Sequence, residues 1–375
     1  MKIGIDARTF INGSYGGIAR SVYNILYFWK DLYPENEYYL ISYRSLKIDM
    51  SDFPSNWNII VKRSLINTGA IWSRLTLPGI IKKLDLDVYW GTNYTLPPKI
   101  KGVKMILTIY DLAILRFKNI GRIATEISIK LFGKSNCKKA DKIIAISEAT
   151  KADIIKFWNI DKDKIVVSYC GGISDDINCT DDKADELNEL KNTHKVGRDY
   201  FLFIGTIEPR KNIITIVKAF EKFCDNTTKD FELVICGKRG WRCDDIYETI
   251  EKSKYSDRIK MFGYITDAEK KYLLKNTKGF VYTSLYEGFG IPILEAMEYE
   301  IPIITSNISS MPEVGGNAVF YLNNVYDYDE LSRLMSKVST LNSMDYEDLV
   351  DKMRKQRNKF SWKKNAEEMM KYIYE

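Results

Sequence analysis

Two glutamates, Glu287 and Glu295, flank a glycine-bearing segment that reads EGFGIP at 287–292. The segment follows a predicted strand, and Pro292 suits the first turn of a helix, where its missing amide hydrogen is not needed. Glycines let a ligand approach the backbone, and the amides at a helix N-terminus suit a phosphate. The two carboxylates can accept hydrogen bonds from sugar hydroxyls. The spacing therefore fits a sugar diphosphate site, and it fits an ordinary strand–helix turn equally well.

Two adjacent cations, Arg210 and Lys211, strengthen the first interpretation. They lie in the segment TIEPRKN at 206–212, directly after a predicted strand that ends at Gly205. Arginine can bind a diphosphate through its planar fork and lysine as a point charge. Two further strand-end loops, GKRGW at 237–241 and GYITD at 263–267, offer weaker signals, since each alone is typical of a plain loop. Backbone groups of the second loop can read a nucleobase edge.

The elements that position these residues alternate between short apolar strands and helices, which predicts parallel sheets covered by helices. The predicted strands are 2–6, 38–42, 58–61, 88–90, 104–109, 143–146, 165–169, 200–205, 231–237, 259–263, 279–284, 301–305 and 319–322. The predicted helices include 17–29, 147–158, 213–223, 268–275, 292–299 and 361–374. The fold class is therefore α/β, with two doubly wound domains in series.

The domain boundary is predicted from a change in composition. The chain has 375 residues, more than one hydrophobic core usually supports. A polar, acidic stretch without a strand signal predicts a linker at 172–199. We assign 1–171 to the first domain and 200–360 to the second. Ligands of such sheets lie beyond the carboxyl ends of the strands, so we expect the site in a cleft between the two domains.

Composition excludes several classes of protein. The chain has six cysteines without a C-x-x-C pair and a single histidine, which makes a zinc site or a disulfide framework improbable. It lacks a signal-peptide pattern and an apolar run of about 20 residues, so we expect a cytoplasmic protein. No G-x-G-x-x-G follows the first strand, which argues against an oxidoreductase with a dinucleotide fold.

Positive charge is concentrated in the first half of the chain. Residues 1–171 carry 26 Lys and Arg against 15 Asp and Glu, and residues 99–142 alone carry eleven basic and three acidic residues. A solvated basic surface explains this pattern, and so does attraction to anionic lipid headgroups or a phosphate-bearing acceptor. A nucleic-acid partner is disfavoured because no stacking platform or groove-reading motif accompanies the charge.

The motifs together resemble family 4 of the retaining glycosyltransferases. The segment EPRKN at 208–212, the segment GYI at 263–265 and the E-x7-E spacing of Glu287 and Glu295 match that family. The N-terminal loop 13–17, the DLA turn at 111–113 and the segment IIAISE at 143–148 match as well. The resemblance covers essentially the whole chain. It implies a GT-B fold, with two Rossmann-like domains and a closing helix, 361–375, that returns to the first domain.

The resemblance also implies roles for individual residues. Arg210 and Lys211 hold the diphosphate of a nucleotide-sugar donor, Glu287 contacts the transferred sugar, and Glu295 accepts from the ribose hydroxyls. Gly16 and Gly17 let the first domain close over the same diphosphate, and the acceptor binds mainly in that domain. The remaining donor contacts are assigned to Gly205, Lys238, Tyr264, Ile265, Gly288, Phe289, Gly290 and Ile291.

The implied chemistry is metal-independent transfer with retention of configuration. The cations and helix amides must stabilise the diphosphate leaving group. The departing phosphate takes the acceptor proton during same-face attack, so no cofactor, metal ion or hydrolytic carboxylate pair is expected.

One residue departs from the pattern of the family. Tyr110 stands where many relatives have a histidine that contacts the donor sugar near its 6-hydroxyl. A tyrosine keeps a hydrogen bond but carries no charge near neutral pH. Both Tyr110 and its neighbour Asp111 are candidate catalytic residues. The substitution is either tolerated or a sign that the donor is a 6-deoxyhexose.

Mannose from GDP-mannose, passed to a lipid-linked oligosaccharide or polysaccharide precursor, is the first prediction, by similarity to bacterial relatives. A rhamnosyl or glucosyl transferase of the same fold is the alternative. A nucleotide-sugar epimerase and a non-catalytic nucleotide-sugar-binding subunit remain open as other classes.

Overall fold

The computed structural model describes residues 1–11, 13, 16–63, 69–117, 123–172 and 198–375. Contacts divide the chain into two units: unit 1 comprises Met1–Gly171 with Ser361–Glu375, and unit 2 comprises Gly172–Phe360. The segment predicted as a linker, 172–199, lies outside the described residues except at 172, 198 and 199.

Unit 1 is built on a seven-stranded parallel sheet with the order β3-β2-β1-β4-β5-β6-β7. The strand order proceeds from β1 to β3 on one side and from β4 to β7 on the other, and this reversal of strand order is typical of a doubly wound sheet. The inner strands of this sheet are almost wholly buried, as is usual for parallel sheets covered by helices on both faces. The strands are β1 (Lys2–Asp6), β2 (Glu37–Ser42), β3 (Trp57–Val61), β4 (Val88–Gly91), β5 (Lys104–Ile109), β6 (Lys142–Ala145) and β7 (Ile165–Val167).

Helices cover this sheet, and the C-terminal helix is one of them. The helices of unit 1 are α1 (Gly17–Leu32), α2 (Gly69–Leu75), α3 (Leu77–Leu84), α4 (Ala113–Arg116), α5 (Ile123–Lys139), α6 (Glu148–Trp158) and, at the end of the chain, α14 (Trp362–Tyr374). The indole of Trp29 on α1 donates a hydrogen bond of 2.9 Å to the carbonyl of Ala366 on α14. Trp362 is buried against Gly171, and a Cβ added to Gly171 would lie 2.3 Å from the backbone nitrogen of Trp362. The predicted return of the last helix to the first domain is confirmed.

Unit 2 repeats the architecture with a six-stranded parallel sheet of order β10-β9-β8-β11-β12-β13. Its strands are β8 (Asp199–Ile204), β9 (Phe231–Cys236), β10 (Ile259–Gly263), β11 (Gly279–Tyr282), β12 (Ile303–Ser306) and β13 (Phe320–Leu322). Its helices are α7 (Ile213–Asp225), α8 (Asp244–Glu251), α9 (Asp267–Asn276), α10 (Ile291–Glu298), α11 (Met311–Gly315), α12 (Tyr328–Ser339) and α13 (Ser343–Arg357). The predicted α/β class with two doubly wound domains is confirmed.

Backbone hydrogen bonds join the loops at the carboxyl ends of β8, β9 and β10. The amide of Gly205 donates to the carbonyl of Cys236 at 2.9 Å, and the amide of Gly237 donates to the carbonyl of Gly263 at 2.6 Å. Gly237 has a φ of 154°, and a Cβ there would lie 1.8 Å from the carbonyl oxygen of Gly205. Only glycine permits this close approach, which fixes the strand ends from which the site is built.

We expect Gly237→Ala to lower the free energy of unfolding by about 3 kcal/mol or more, because the methyl group must displace backbone. Gly263→Ala is the matched control: its φ is 61° but nothing lies within 4 Å of the added Cβ, so about 1–2 kcal/mol is expected. Urea unfolding followed by tryptophan fluorescence measures both. Equal losses in the two variants would contradict the role of close packing at Gly237.

Candidate active site

The two predicted cations lie on a short turn between β8 and α7. Pro209–Lys211 forms a single 3-10 turn, and Asn212 follows it with a φ of 58° before α7 begins. The side chain of Asn212 donates to the carbonyl of Val325 at 2.6 Å and accepts from the hydroxyl of Thr215 at 2.7 Å. This turn is therefore anchored both to its own helix and to the loop after β13.

A single carboxylate, that of Glu287, bridges the two cations. Its Oε1 lies 2.6 Å from Lys211 Nζ, and its Oε2 lies 2.8 Å from Arg210 Nη1. Lys211 also donates to the hydroxyl of Tyr282 at 2.7 Å. Lys211 is 6% exposed and Glu287 is 9% exposed, so this is a buried ion-pair network. The structure brings three of the predicted site residues into direct contact.

Glu208 completes the network, a role that the sequence did not reveal. Its Oε1 accepts from Arg210 Nε at 2.9 Å and from Arg210 Nη2 at 2.6 Å. Arg210 Nη1 also donates to the carbonyl of Tyr286 at 2.8 Å. The guanidinium is therefore held along its length. The signal was an acidic residue two positions before the arginine, which sequence alone cannot distinguish from a surface carboxylate.

The network shifts the pKa values of its members in ways that follow from burial and pairing. Burial opposes the ionisation of Glu287, but Lys211 and Arg210 outweigh burial and hold its pKa at about 2. Burial lowers the pKa of Lys211, and Glu287 offsets part of this effect. Burial also works against the charge of Arg210, yet Glu287 and Glu208 raise its pKa above the ordinary value. Glu287 is thus a carboxylate near neutral pH.

The loop that carries Glu287 is fixed by two serines that precede and begin the turn into α11. The hydroxyl of Ser309 donates to the carbonyl of Glu287 at 2.6 Å and accepts from its amide at 3.3 Å. The hydroxyl of Ser310 donates to the same carbonyl at 3.0 Å. These bonds use only the backbone of Glu287, so its carboxylate stays available to the cations.

The glycine-bearing segment then enters α10 as the spacing predicts. Gly290 is the N-cap with a φ of 125°, and Ile291 is the first residue of the helix. Gly288 and Ile291 are half-buried. The ring of Phe289 is 3% exposed and packs edge-on against Phe360, with centroids 5.6 Å apart. Phe289 therefore anchors the loop in the core through its side chain. Only its backbone is placed to contact a nucleotide-sugar donor.

Glu295 lies one turn into α10 and has a different cationic neighbour. Its Oε1 is 2.7 Å from Lys270 Nζ on α9, and Lys270 is also 3.2 Å from Asp267. Both Glu295 and Lys270 are largely buried, with side-chain exposures of 8% and 12%. Sequence reasoning missed Lys270, because nothing in the local pattern of α9 links it to a residue of α10.

The weaker loops place polar and aromatic groups near the ends of β9 and β10. Lys238 Nζ lies 4.2 Å from the ring centroid of Tyr264, and this ring is 69% exposed. Ile265 beside it is buried. At the end of β8, a Cβ on Gly205 would lie 3.6 Å from Lys211 Cε. Gly205 thus flanks the lysine stem, and the Tyr264 ring is open to stacking.

The candidates in unit 1 are described separately. Gly16 and Gly17 are exposed at the start of α1, and nothing lies within 4 Å of a Cβ built on either. No packing contact in the described residues therefore demands glycine there. Tyr110 is buried, and burial raises the pKa of its hydroxyl well above the ordinary value. Asp111 accepts from the amide of Ala113 at 2.9 Å at the start of α4.

Neither a metal-binding cluster nor a membrane-spanning helix occurs among the described residues. No three His, Cys, Asp or Glu side chains among them form a group that could hold a metal ion. No helix among them is both long and apolar enough to cross a bilayer.

Comparison with known protein families gives two matches that divide the chain. Residues 15–172 match the family model described as Glycosyltransferase Family 4, and residues 185–360 match Glycosyl transferases group 1. The chain belongs to the family 4 glycosyltransferases.

Three similar proteins share between 14% and 32% sequence identity with this chain. The O-antigen chain mannosyltransferase B of Escherichia coli is 32% identical over 62% of this chain and 60% of that protein. This chain therefore matches less than two thirds of that curated relative. A glycosyltransferase of Rickettsia africae superimposes with a TM-score of 0.74 over 99% of this chain and 97% of that one, at 19% identity. Anabaena HepE in complex with UDP and glucose gives 0.71 at 14% identity, over 100% and 99% of the two chains. At these identities the two structures establish the fold, which is that of the GT-B glycosyltransferases.

The network makes stability depend on pH in a predictable direction. The pKa of Glu287 lies below its ordinary value of 4.5, so its ionisation stabilises the fold above about pH 4.5 and this contribution is lost as pH falls towards 2. We expect Glu287→Gln to lower the free energy of unfolding by about 3 kcal/mol at pH 7. The difference from the wild type should shrink by about 1 kcal/mol or more between pH 6 and pH 3.5.

Urea unfolding across this pH range measures the difference. Glu248→Gln, which removes an exposed carboxylate paired with Lys252, is the control and should cost less than about 0.5 kcal/mol. A loss for Glu287→Gln that stays constant with pH would contradict the assignment of an ionised, paired Glu287.

Proposed function

We propose that this protein transfers a hexose from a nucleotide-diphosphate sugar to a carbohydrate acceptor. The observation that carries the proposal is the buried Glu287 carboxylate between Arg210 and Lys211, at the carboxyl ends of the strands of unit 2. Two cations and a carboxylate on adjacent loops match the needs of a sugar diphosphate: positive charge for the phosphates and an acceptor for sugar hydroxyls. Membership of the glycosyltransferase family supports the same conclusion.

The cations act on the leaving group. Cleavage of the anomeric C–O bond leaves negative charge on the diphosphate, and Lys211 with Arg210 stabilises this charge as it develops. These two charges supply what a divalent metal supplies elsewhere, so we propose transfer without a metal ion or cofactor. We further propose retention of configuration, in which the departing phosphate oxygen takes the proton of the acceptor hydroxyl as the acceptor attacks from the same face.

The other groups select the donor. Glu287 accepts from hydroxyls of the transferred hexose, and Glu295, held by Lys270, accepts from the ribose. Gly288, Gly290 and Ile291 offer backbone amides at the start of α10 to a phosphate. The exposed Tyr264 ring stacks against the nucleobase, and Lys238, whose Nζ lies 4.2 Å from the ring centroid, orients the ring. Gly16 and Gly17 expose the first amides of α1, which suits a contact with a phosphate oxygen.

Mannose is the proposed sugar and GDP-mannose the proposed donor. The E. coli relative is named as an O-antigen chain mannosyltransferase, which supports an acceptor of the same class, a lipid-linked oligosaccharide or polysaccharide precursor. The buried, neutral hydroxyl of Tyr110 does not by itself favour a 6-deoxyhexose over mannose.

We expect Lys211→Ala to reduce kcat for mannosyl transfer by about 10²–10³, because a charge aimed at the leaving group is lost. Transfer of radiolabelled mannose from GDP-mannose to a lipid-linked acceptor measures the rate. The assay contains EDTA, in which the wild type should keep its activity. Lys218→Ala, which removes an exposed lysine of α7, is the matched control. Normal turnover by the Lys211 variant, with its fold verified by circular dichroism, would contradict the assignment.

We propose that unit 1 contacts an anionic membrane at the inner face of the cell membrane, where such an acceptor is held. One face of α5 presents Ile127, Leu131, Lys134 and Lys138 at helical spacing; we call these residues the α5 stripe. Ile127 is 50% and Leu131 is 65% exposed, and both lysines are exposed as well. Large apolar side chains beside lysines suit the boundary between acyl chains and anionic headgroups.

We expect Leu131→Glu to lower the fraction of protein that sediments with phosphatidylglycerol vesicles by roughly tenfold, since it removes apolar burial and adds repulsion. Met344→Glu, which changes a 78% exposed methionine of unit 2, should have no effect. Sedimentation with neutral phosphatidylcholine vesicles should be weak for all proteins. Unchanged sedimentation of the Leu131 variant with phosphatidylglycerol would contradict a membrane role for the α5 stripe.

A further inference from the structure

The cluster of Arg210, Lys211, Glu208 and Glu287 is electrically neutral before any ligand binds. Arg210 and Lys211 bring two positive charges, and Glu208 and Glu287 bring two negative ones. None of the four side chains is more than 19% exposed. The cations that would bind an anionic diphosphate are therefore already paired with carboxylates of the protein. The two carboxylates are not equivalent, and the difference between them is informative.

We propose that Glu287 makes the site prefer a nucleotide sugar over the free nucleoside diphosphate that remains after transfer. This inference rests on the proposed function and deepens it. It gives one carboxylate a second task, the rejection of product, besides its contact with the transferred sugar.

Glu287 and a bound diphosphate compete for the same two cations. Glu287 occupies Lys211 Nζ at 2.6 Å and Arg210 Nη1 at 2.8 Å, so phosphate oxygens that approach these nitrogens come close to a carboxylate. Like charges repel strongly where water is largely excluded. In the unliganded network Lys211 and Arg210 hold the pKa of Glu287 at about 2, so the carboxylate is charged when a diphosphate approaches. The repulsion must be compensated by something that the ligand brings.

The two ligands differ in the hydroxyl groups and in the charge that they bring to Glu287. A nucleotide sugar carries hydroxyl groups next to its diphosphate, and these can donate hydrogen bonds to a carboxylate drawn away from the cations. A free nucleoside diphosphate has lost the hexose, and its ribose hydroxyls are assigned to Glu295, so it brings no hydroxyl group to Glu287. It also carries more negative charge, because its terminal phosphate loses a second proton with a pKa of about 6. Glu287 therefore penalises the product more than the donor.

Glu287 and Glu208 differ in the cations that they contact. Glu208 contacts Nε and Nη2 of Arg210 and holds the guanidinium from within the same turn. Glu287 instead spans both cations from a loop on the neighbouring strand β11. Only the bridging carboxylate lies against Lys211 in this cluster. The discrimination is thus a property of Glu287, and Glu208 is a positioning residue for Arg210.

Isothermal titration calorimetry of the full chain, without acceptor, measures the affinities for two matched pairs of ligands. The pairs are GDP with GDP-mannose and UDP with UDP-glucose. For the pair that the wild type binds, we expect the sugar nucleotide to bind at least as tightly as the diphosphate, despite its lower charge. In Glu287→Gln we expect the diphosphate to bind about tenfold more tightly than in the wild type. The sugar nucleotide should gain less, so that the preference reverses. Glu248→Gln, which also removes one negative charge, should match the wild type.

Three outcomes would overturn the inference, and they differ in what else they affect. Diphosphate affinity in Glu287→Gln that equals or falls below that of the wild type would remove the role of Glu287 and leave the proposed function intact. A wild type that binds the diphosphate more tightly than the sugar nucleotide would do the same, and this measurement needs no variant to fold. A wild type that binds none of the four ligands would remove the proposed function as well.

Discussion

The site depends on one interaction, the bridge that Glu287 makes between two cations that are largely withdrawn from water. An unpaired charge at such a position is costly, whereas a paired and hydrogen-bonded one is tolerated. Removal of Glu287 therefore leaves Lys211 without a carboxylate partner in this cluster. The pairing explains how the fold keeps Lys211 and Arg210 available as charges in a place where desolvation would otherwise weaken them.

The scaffold around this bridge is rigid and local. Gly205 and Gly237 approach each other so closely that the ends of β8 and β9 have little freedom. Asn212 ties the cationic turn to the loop after β13, and Ser309 with Ser310 ties the loop of Glu287 to α11. Backbone, amide and hydroxyl groups position the loops, and the Glu208 carboxylate positions the Arg210 guanidinium. Preorganisation of this kind is what stabilisation of a leaving group requires.

Most of the secondary structure that positions the site follows from the sequence alone. Short apolar runs bounded by glycine predicted strands such as Lys104–Ile109 and Ile259–Gly263 with their observed ends. Helices such as α5 and α13 were not singled out, because apolar residues of α5 such as Leu131 lie on its exposed side and α13 is rich in charged residues, so apolar spacing does not mark a buried face in either. The sequence also predicted that Glu287, Arg210 and Lys211 lie together, and the structure places them in contact. It could not show that Glu208 and Lys270 pair with site residues, because such partners depend on side-chain direction and on which helices are neighbours.

The most direct test is a crystal structure of the full chain with GDP or UDP bound. The account predicts phosphate oxygens within hydrogen-bond distance of Lys211 Nζ and of the Arg210 guanidinium, with Glu287 displaced from at least one of the two. A diphosphate bound elsewhere, while the contact between Glu287 and Lys211 stays intact, would contradict the account.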